Sequence, residues 1–159
     1  MLKRIREMKD QDGFTLIELM VVVLIIAILI AIAIPTFLGL RSRAQNRSTQ
    51  SDLRNGLTAA KAYYTDGETF VGFDTGAAAG VDGGTAETIE PSLDFSTAGS
   101  TTAVGITEVT ADDIVLTKQS ESDAWFCAID NNGLSSVRGP ATDENLADTV
   151  ILCGGLPVV

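Results

Sequence analysis

The sequence predicts an α+β protein, in which a long amino-terminal helix packs on a small carboxyl-terminal antiparallel sheet. Apolar residues are concentrated in an unbroken run from Leu19 to Ile34, which is typical of a membrane-spanning helix. Short apolar or alternating segments, typical of strands, occur in the last third of the chain. The total length of 159 residues suits a single domain.

The charge distribution excludes several classes of function. The formal net charge is −10, and the basic residues after Lys61 are Lys118 and Arg138. Such an acidic surface repels phosphate backbones, so we expect no nucleic-acid site. The chain has no histidine, which removes the usual base and a common metal ligand. We therefore expect no catalytic residues, no metal and no cofactor.

The amino-terminal apolar segment is long enough to cross a membrane. A helix over 14–40 would be about 40 Å long, which exceeds the ~30 Å hydrocarbon core of a bilayer. A buried core helix is disfavoured, because such helices carry a polar stripe. The alternative is a cleaved secretory signal that ends in Ala31-Ile32-Ala33. Against this alternative, the segment before the cleavage site would be unusually long, and Glu18 places a carboxylate at the entrance of the apolar run.

Glu18 lies at the start of the apolar run. An ionised carboxylate inside a bilayer costs about 2–3 kcal/mol or more, so an acid there is a functional candidate. One alternative is an interfacial acid that reaches the headgroups. The other is an acid neutralised by a nearby cation, and a new α-amino group at Phe14 would supply it if the chain were cut after Gly13.

The residues at this point resemble a known family. Gly13-Phe14-Thr15-Leu16-Ile17-Glu18, continued by the apolar run to Ile34-Pro35, closely resembles the amino terminus of type IV pilin precursors. The resemblance is strong over about residues 1–60 and only architectural beyond them. It implies a leader over 1–13, cleavage between Gly13 and Phe14 by a prepilin peptidase, and N-methylation of Phe14. It also implies that Glu18 pairs with the Phe14 amine of a neighbouring subunit.

The resemblance further implies a function, a location and partners. The chain would be a major pilin of the type IVa kind, single-pass in the cytoplasmic membrane among lipids, and then assembled by the pilus machinery into a homo-oligomeric surface filament. The alternatives are a type II secretion pseudopilin, a minor pilin, or an acidic adhesin released after Ala33. An electron-conducting filament is a weaker alternative, suggested by the aromatic residues Phe14, Phe37, Tyr63, Tyr64, Phe70 and Phe73.

The long helix is predicted to cover 14–64, with an amphipathic part over 41–64 and a bend at Pro35, which lacks an N–H. Leu53, Leu57, Ala60 and Tyr64 share one face. Residues 65–112 are rich in Gly, Thr, Ala and acidic residues, and we interpret them as a surface connector with little to bury.

Residues 113–159 are predicted to form the antiparallel sheet. Asn131-Asn132-Gly133 indicates a tight turn within a hairpin over 125–138. A further strand is predicted at Thr149–Cys153.

The two cysteines, Cys127 and Cys153, both fall in predicted strands. Outside the cytoplasm they can form a disulfide, which would stabilise the domain by roughly 3–4 kcal/mol. Two free buried thiols are the alternative.

Overall fold

A computed structural model of the chain describes residues 13–74 and 85–142, together with Cys153, Gly155 and Val159. The chain divides into two compact units, Met1–Leu40 and Arg41–Val159, which we describe separately. One helix, α1 (Leu16–Gly67), contributes to both units. The predicted leader lies outside the described residues, except for Gly13.

The described part of the first unit is the apolar half of α1. The helix begins two residues after Phe14, and its side chains up to Leu40 are all exposed. Pro35 lies inside the helix, and the Thr36 hydroxyl donates a hydrogen bond of 3.3 Å to the carbonyl of Ile32. The helix assignment continues through this position, so the bend at Pro35 stays a prediction.

In the second unit, α1 packs on a sheet through the face that the sequence predicts. Leu53, Leu57 and Ala60 are buried, and Tyr64 is partly buried against the same core. Gly56 lets the helix approach the sheet, since a Cβ added there would lie 3.2 Å from Cδ1 of Leu116. The predicted amphipathic helix is therefore confirmed, and it continues to Gly67.

Among the described residues, the sheet has five strands, which neighbour one another in the order in which they occur in the chain. The first pair is parallel and the other three pairs are antiparallel. The strands are β1 (Phe95–Ser96), β2 (Val104–Val109), β3 (Asp113–Gln119), β4 (Trp125–Asn131) and β5 (Leu134–Ala141).

The predicted hairpin between β4 and β5 is confirmed. Its two connecting residues, Asn132 and Gly133, have φ values of 50° and 83°, as a type I′ turn requires. This turn matches the twist of the flanking strands, which explains why an Asn-Gly pair occurs here.

The interpretation of 65–112 as a connector with little to bury is wrong for its described part. This region contains a short helix, α2 (Thr85–Ile89), as well as β1 and β2. Phe70 and Phe73 are almost completely buried in the core. The small residues around these two aromatic side chains lowered the average hydrophobicity and concealed their contribution.

The carboxyl-terminal part of the predicted sheet needs a second correction. Most of the strand predicted at Thr149–Cys153 lies outside the described residues, but Cys153 itself has a helical backbone. The last described strand of the sheet ends at Ala141. At its other end, the sheet begins before residue 113, with the parallel pair of β1 and β2.

Candidate processing and assembly site

Gly13 and Phe14 form an accessible segment just before α1. Both residues are outside regular secondary structure, and the Phe14 side chain is 87% exposed. A Cβ added at Gly13 would have no neighbour within 4 Å. A protease can therefore reach the peptide bond between them without unfolding the helix, and the lack of a side chain at Gly13 favours close approach of another backbone.

Thr15 and Glu18 together cap the start of α1. The Glu18 N–H donates to Oγ1 of Thr15 at 3.3 Å. In return, Oε2 of Glu18 accepts the Thr15 N–H at 3.4 Å and the Thr15 hydroxyl at 3.2 Å. This reciprocal arrangement is a capping box. It holds the carboxylate at the first turn of the helix, on the N–H of Thr15, the residue that follows Phe14.

This local role of Glu18 was not predicted from the sequence, although the sequence contains a signal for it. A threonine three residues before a glutamate, just ahead of an apolar run, is the sequence signal for a capping box. Glu18 therefore has two candidate roles, in the helix cap and in pairing with an amine. Any test of the second role must keep the first intact.

The apolar run that follows has no covering side chains within the part of the chain that the structure describes. Its large side chains between Leu19 and Ile34 are 48–68% exposed. By length and composition, α1 is the single described helix that could cross a membrane. Exposing so much apolar surface to water is unfavourable, so lipid or other apolar helices must cover it.

Two ion pairs join α1 to the sheet in the second unit. Nζ of Lys61 lies 3.2 Å from Oδ2 of Asp130 on β4. Nζ of Lys118 on β3 lies 2.9 Å from Oδ2 of Asp52. Neither pair was predicted from the sequence, because pairing across elements depends on the register of helix and sheet.

Asp130 is the more deeply buried of the two acids, with 2% of its surface exposed. Its carboxylate accepts hydrogen bonds from the Gly133 N–H at 2.9 Å and from the Ser135 hydroxyl. Burial raises the pKa of Asp130, but the bonds from Ser135, Lys61 and Gly133 and the charge of Lys61 lower it more. The net pKa of Asp130 is therefore below its usual range.

This pKa shift predicts a pH dependence of stability. Asp130→Asn should lower the free energy of unfolding by about 1–3 kcal/mol at neutral pH, because it removes a buried charge with several donors. A carboxyl with a lowered pKa stabilises the fold above its unfolded pKa, about 3.9, and loses that effect as pH falls through its folded pKa.

The difference between Asp130→Asn and wild type should therefore shrink below about pH 4. Urea unfolding of the full chain in detergent, followed by Trp125 fluorescence, measures this difference in the free energy of unfolding at neutral pH and below about pH 4. Asp123→Asn, at an exposed acid, is the control. A difference that is the same at neutral and acidic pH would contradict the assignment.

Cys127 and Cys153 form a disulfide, with their Cα atoms 6.1 Å apart. Both are completely buried, and they form a small cluster with the buried residues Val115 and Ile129. This small cluster involves the side chains of β3 and β4 that alternate with those facing α1. The disulfide therefore holds Cys153 against the second face of the sheet.

Aromatic side chains in the second unit pack on one another in the core. Ring centroids are 4.6 Å apart for Tyr64 and Phe70, and 5.8 Å apart for Tyr63 and Phe73. Core packing accounts for these four residues, so their presence does not require an electron-conducting function.

Comparisons with known proteins agree with the geometry of the amino-terminal segment. The family described as the prokaryotic N-terminal methylation motif matches residues 8–34, which include Gly13, Phe14 and Glu18. The amino-terminal third is similar to that of type IV major pilins. The similarity of this segment to pilin precursors, inferred above from its residues, is thus confirmed.

Three relatives illustrate the extent of this similarity. Type IV major pilin protein PilA of Myxococcus xanthus is 43% identical over 61 residues, which are 38% of this chain and 28% of the relative. For the type IV major alpha-pilin of Moraxella bovis, identity is 45% over 62 residues, 39% of each chain. A fimbrial protein of Pseudomonas aeruginosa is 47% identical over 64 residues, 40% of this chain and 42% of the relative.

The matched region therefore spans less than half of these relatives. No solved structure gives a significant match to the chain. The similarity concerns α1 and the residues just before it. The sheet has no counterpart in these matches.

Proposed function

We propose that this chain is the precursor of a structural subunit of a type IV pilus. The observation that carries the proposal is the combination of an exposed apolar helix, a capped Glu18 at its start and an accessible Gly13–Phe14 bond. The methylation motif and the pilin relatives support the same function. The role is structural rather than catalytic, and it needs no cofactor.

Before assembly, the precursor lies in the cytoplasmic membrane as a single-pass protein. A prepilin peptidase cuts between Gly13 and Phe14 and N-methylates the new amine of Phe14. Lipids cover the apolar half of α1 until the assembly machinery withdraws the subunit. In the filament, the same half is covered by the helices of other copies, so its apolar surface stays out of water throughout.

Two residues of the apolar half have specific roles in this assembly. The Glu18 carboxylate pairs with the Phe14 amine of a neighbouring copy, which compensates both charges and favours the correct register. Pro35 removes one backbone hydrogen bond of the helix, and it provides the position at which the helix bends or loosens in the filament.

Electron microscopy of sheared surface filaments, with peptides identified by mass spectrometry, tests the proposed function. We expect this chain in the filaments, with a methylated Phe14 as its first residue. A minor pilin would be present in trace amount, and a pseudopilin would be absent from the pili. An adhesin released after Ala33 would begin at Ile34, and that result would overturn the proposal.

A side chain at Gly13 should block processing. Gly13→Val should leave the full-length protein in the membrane and abolish filaments, because a branched side chain prevents close approach of the peptidase backbone. Immunoblotting for the two chain lengths measures the effect. Gly39→Ala, at an exposed helical glycine without neighbours within 4 Å, is the control and should be cut normally. Normal cutting of Gly13→Val would contradict the assigned cleavage position.

A further inference from the structure

Three exposed arginines share one face of α1. Arg43, Arg47 and Arg54 are spaced i, i+4 and i+11, which places them within about 40° of one another around the helix. Neither of the two ion pairs in the described part of the chain involves them. Arg54 donates to the carbonyl of Val159 at 3.0 Å. We refer to Arg43, Arg47 and Arg54 as the arginine stripe.

The helix surface beside the arginine stripe is open to a large partner. It carries small exposed side chains: Ala44, Ser48, Ser51 and Asn55. Because these side chains are short, another protein surface can approach the helix closely enough for its carboxylates to contact Arg43 and Arg47. Arg43 and Arg47, which take part in neither ion pair of the described residues, therefore present positive charge on a chain whose net charge is −10.

Negative charge is concentrated at the carboxyl end of α1, away from the arginine stripe. Asp66 and Glu68 are exposed at its carboxyl end, and Oδ1 of Asp112 accepts the Tyr64 hydroxyl at 3.5 Å. The last turn has no basic residue, and the helix dipole adds negative partial charge there. Burial, and then the charges of Asp112, Glu68 and Asp130, raise the pKa of Tyr64. We refer to Asp66, Glu68 and Asp112 as the acidic end.

The arginine stripe and the acidic end are too far apart to pair within one molecule. From Arg43 to Asp66 the helix rises by roughly 35 Å. When two copies are displaced along the helix axis by about that length, the arginine stripe of one copy can lie against the acidic end of the other. Such a contact uses two different surfaces, so it repeats without closing and produces a fibre rather than a dimer.

We propose that the arginine stripe of one subunit binds the acidic end of a second copy of this chain. This inference rests on the proposed function and identifies a contact outside the apolar part of the filament. In the sequence, the stripe begins three residues after the last residue of the apolar half of α1, Leu40. Complementary charges at this contact would set the axial offset of neighbouring copies and reject other registers.

The contact can be tested in cells by reversing the charges of each surface separately and then of both surfaces in one variant. Arg43→Glu/Arg47→Glu and Asp66→Lys/Glu68→Lys should each lower the ratio of sheared filament to membrane pool about tenfold, because like charges would face each other. The combined variant restores opposite charges and should recover the wild-type ratio to within about twofold. Arg54 is left unchanged because it also bonds Val159.

Controls separate this contact from folding and membrane effects. Glu90→Lys/Asp94→Lys makes the same change in charge in the segment before β1 and should assemble normally. All variants should be cut after Gly13 and carry the Cys127–Cys153 disulfide. The Lys substitutions at the end of α1 complement the helix dipole, so they should fold.

Three outcomes would overturn the inference. A wild-type ratio for Arg43→Glu/Arg47→Glu would show that the arginines contact no neighbour. A reduced membrane pool that the combined variant does not restore would assign them to anionic lipid headgroups instead. Absence of the chain from wild-type filaments would overturn the proposed function and this inference together.

Discussion

Cys127→Ala/Cys153→Ala should lower the free energy of unfolding of the second unit by roughly 3–4 kcal/mol, the entropy that a crosslink of this loop length removes from the unfolded chain. The two cysteines are 26 positions apart in sequence. Such a loss is a large part of the 5–15 kcal/mol that holds a typical domain folded. Alanine is preferred to serine, because the site is completely buried and a hydroxyl there would add an unsatisfied polar group.

Urea unfolding of the full chain in detergent measures this difference, and Trp125 is a suitable probe because it packs against the same cluster. Wild type treated with a reductant is the matched control, since it loses the crosslink but keeps both sulfur atoms. Both samples should lose stability, and the alanine variant should lose slightly more. Equal stability of oxidised and reduced wild type would contradict the assigned role.

Mass spectrometry of the exported protein without reduction tests the pairing itself. A peptide pair that links Cys127 to Cys153 is expected. Alkylation of both thiols in the intact, unreduced protein would show instead that they are free, the alternative that the sequence left open.

The parts of the fold that the sequence predicted correctly depend on local patterns. The apolar run from Leu19 to Ile34 needs no tertiary context, because its composition alone determines that it forms a helix in an apolar surrounding. The hairpin turn at Asn132 and Gly133 is similarly local, since its residues are the ones that tolerate positive φ.

The parts that were missed depend on contacts between distant residues. Val104 is completely buried, but β2 follows a segment rich in Gly, Ser and Thr and was not recognised. Its partner β1 has two residues and pairs in parallel, which no local pattern predicts. The ion pairs of Lys61 and Lys118 likewise depend on where α1 meets the sheet.

The candidate assembly site was predicted almost entirely by resemblance and by one energetic argument. Glu18 was singled out because a carboxylate beside a long apolar run is costly unless compensated. The structure adds a compensation within the same chain, the bonds with Thr15. Pairing with Phe14 of a neighbour therefore has to be distinguished from helix capping.

Glu18→Ala should reach the membrane and be cut after Gly13, yet assemble poorly into filaments. In the proposed filament, the substitution leaves the Phe14 amine without its carboxylate partner among apolar helices. Removing one partner of a buried pair costs about 3–5 kcal/mol, and the filament repeats this loss at every subunit. The yield of sheared filaments relative to the membrane pool measures the effect, and Glu18→Asp should be intermediate because its carboxylate reaches less far.

Glu18→Gln separates the charge from the helix cap. Glutamine at this position still accepts the Thr15 N–H, as glutamate does in a capping box, but it has no charge to pair with an amine. If pairing governs assembly, Glu18→Gln should assemble as poorly as Glu18→Ala. Wild-type filament yield from Glu18→Gln would assign the defect of Glu18→Ala to the lost cap. Wild-type yield from both variants would show that the carboxylate makes no assembly contact.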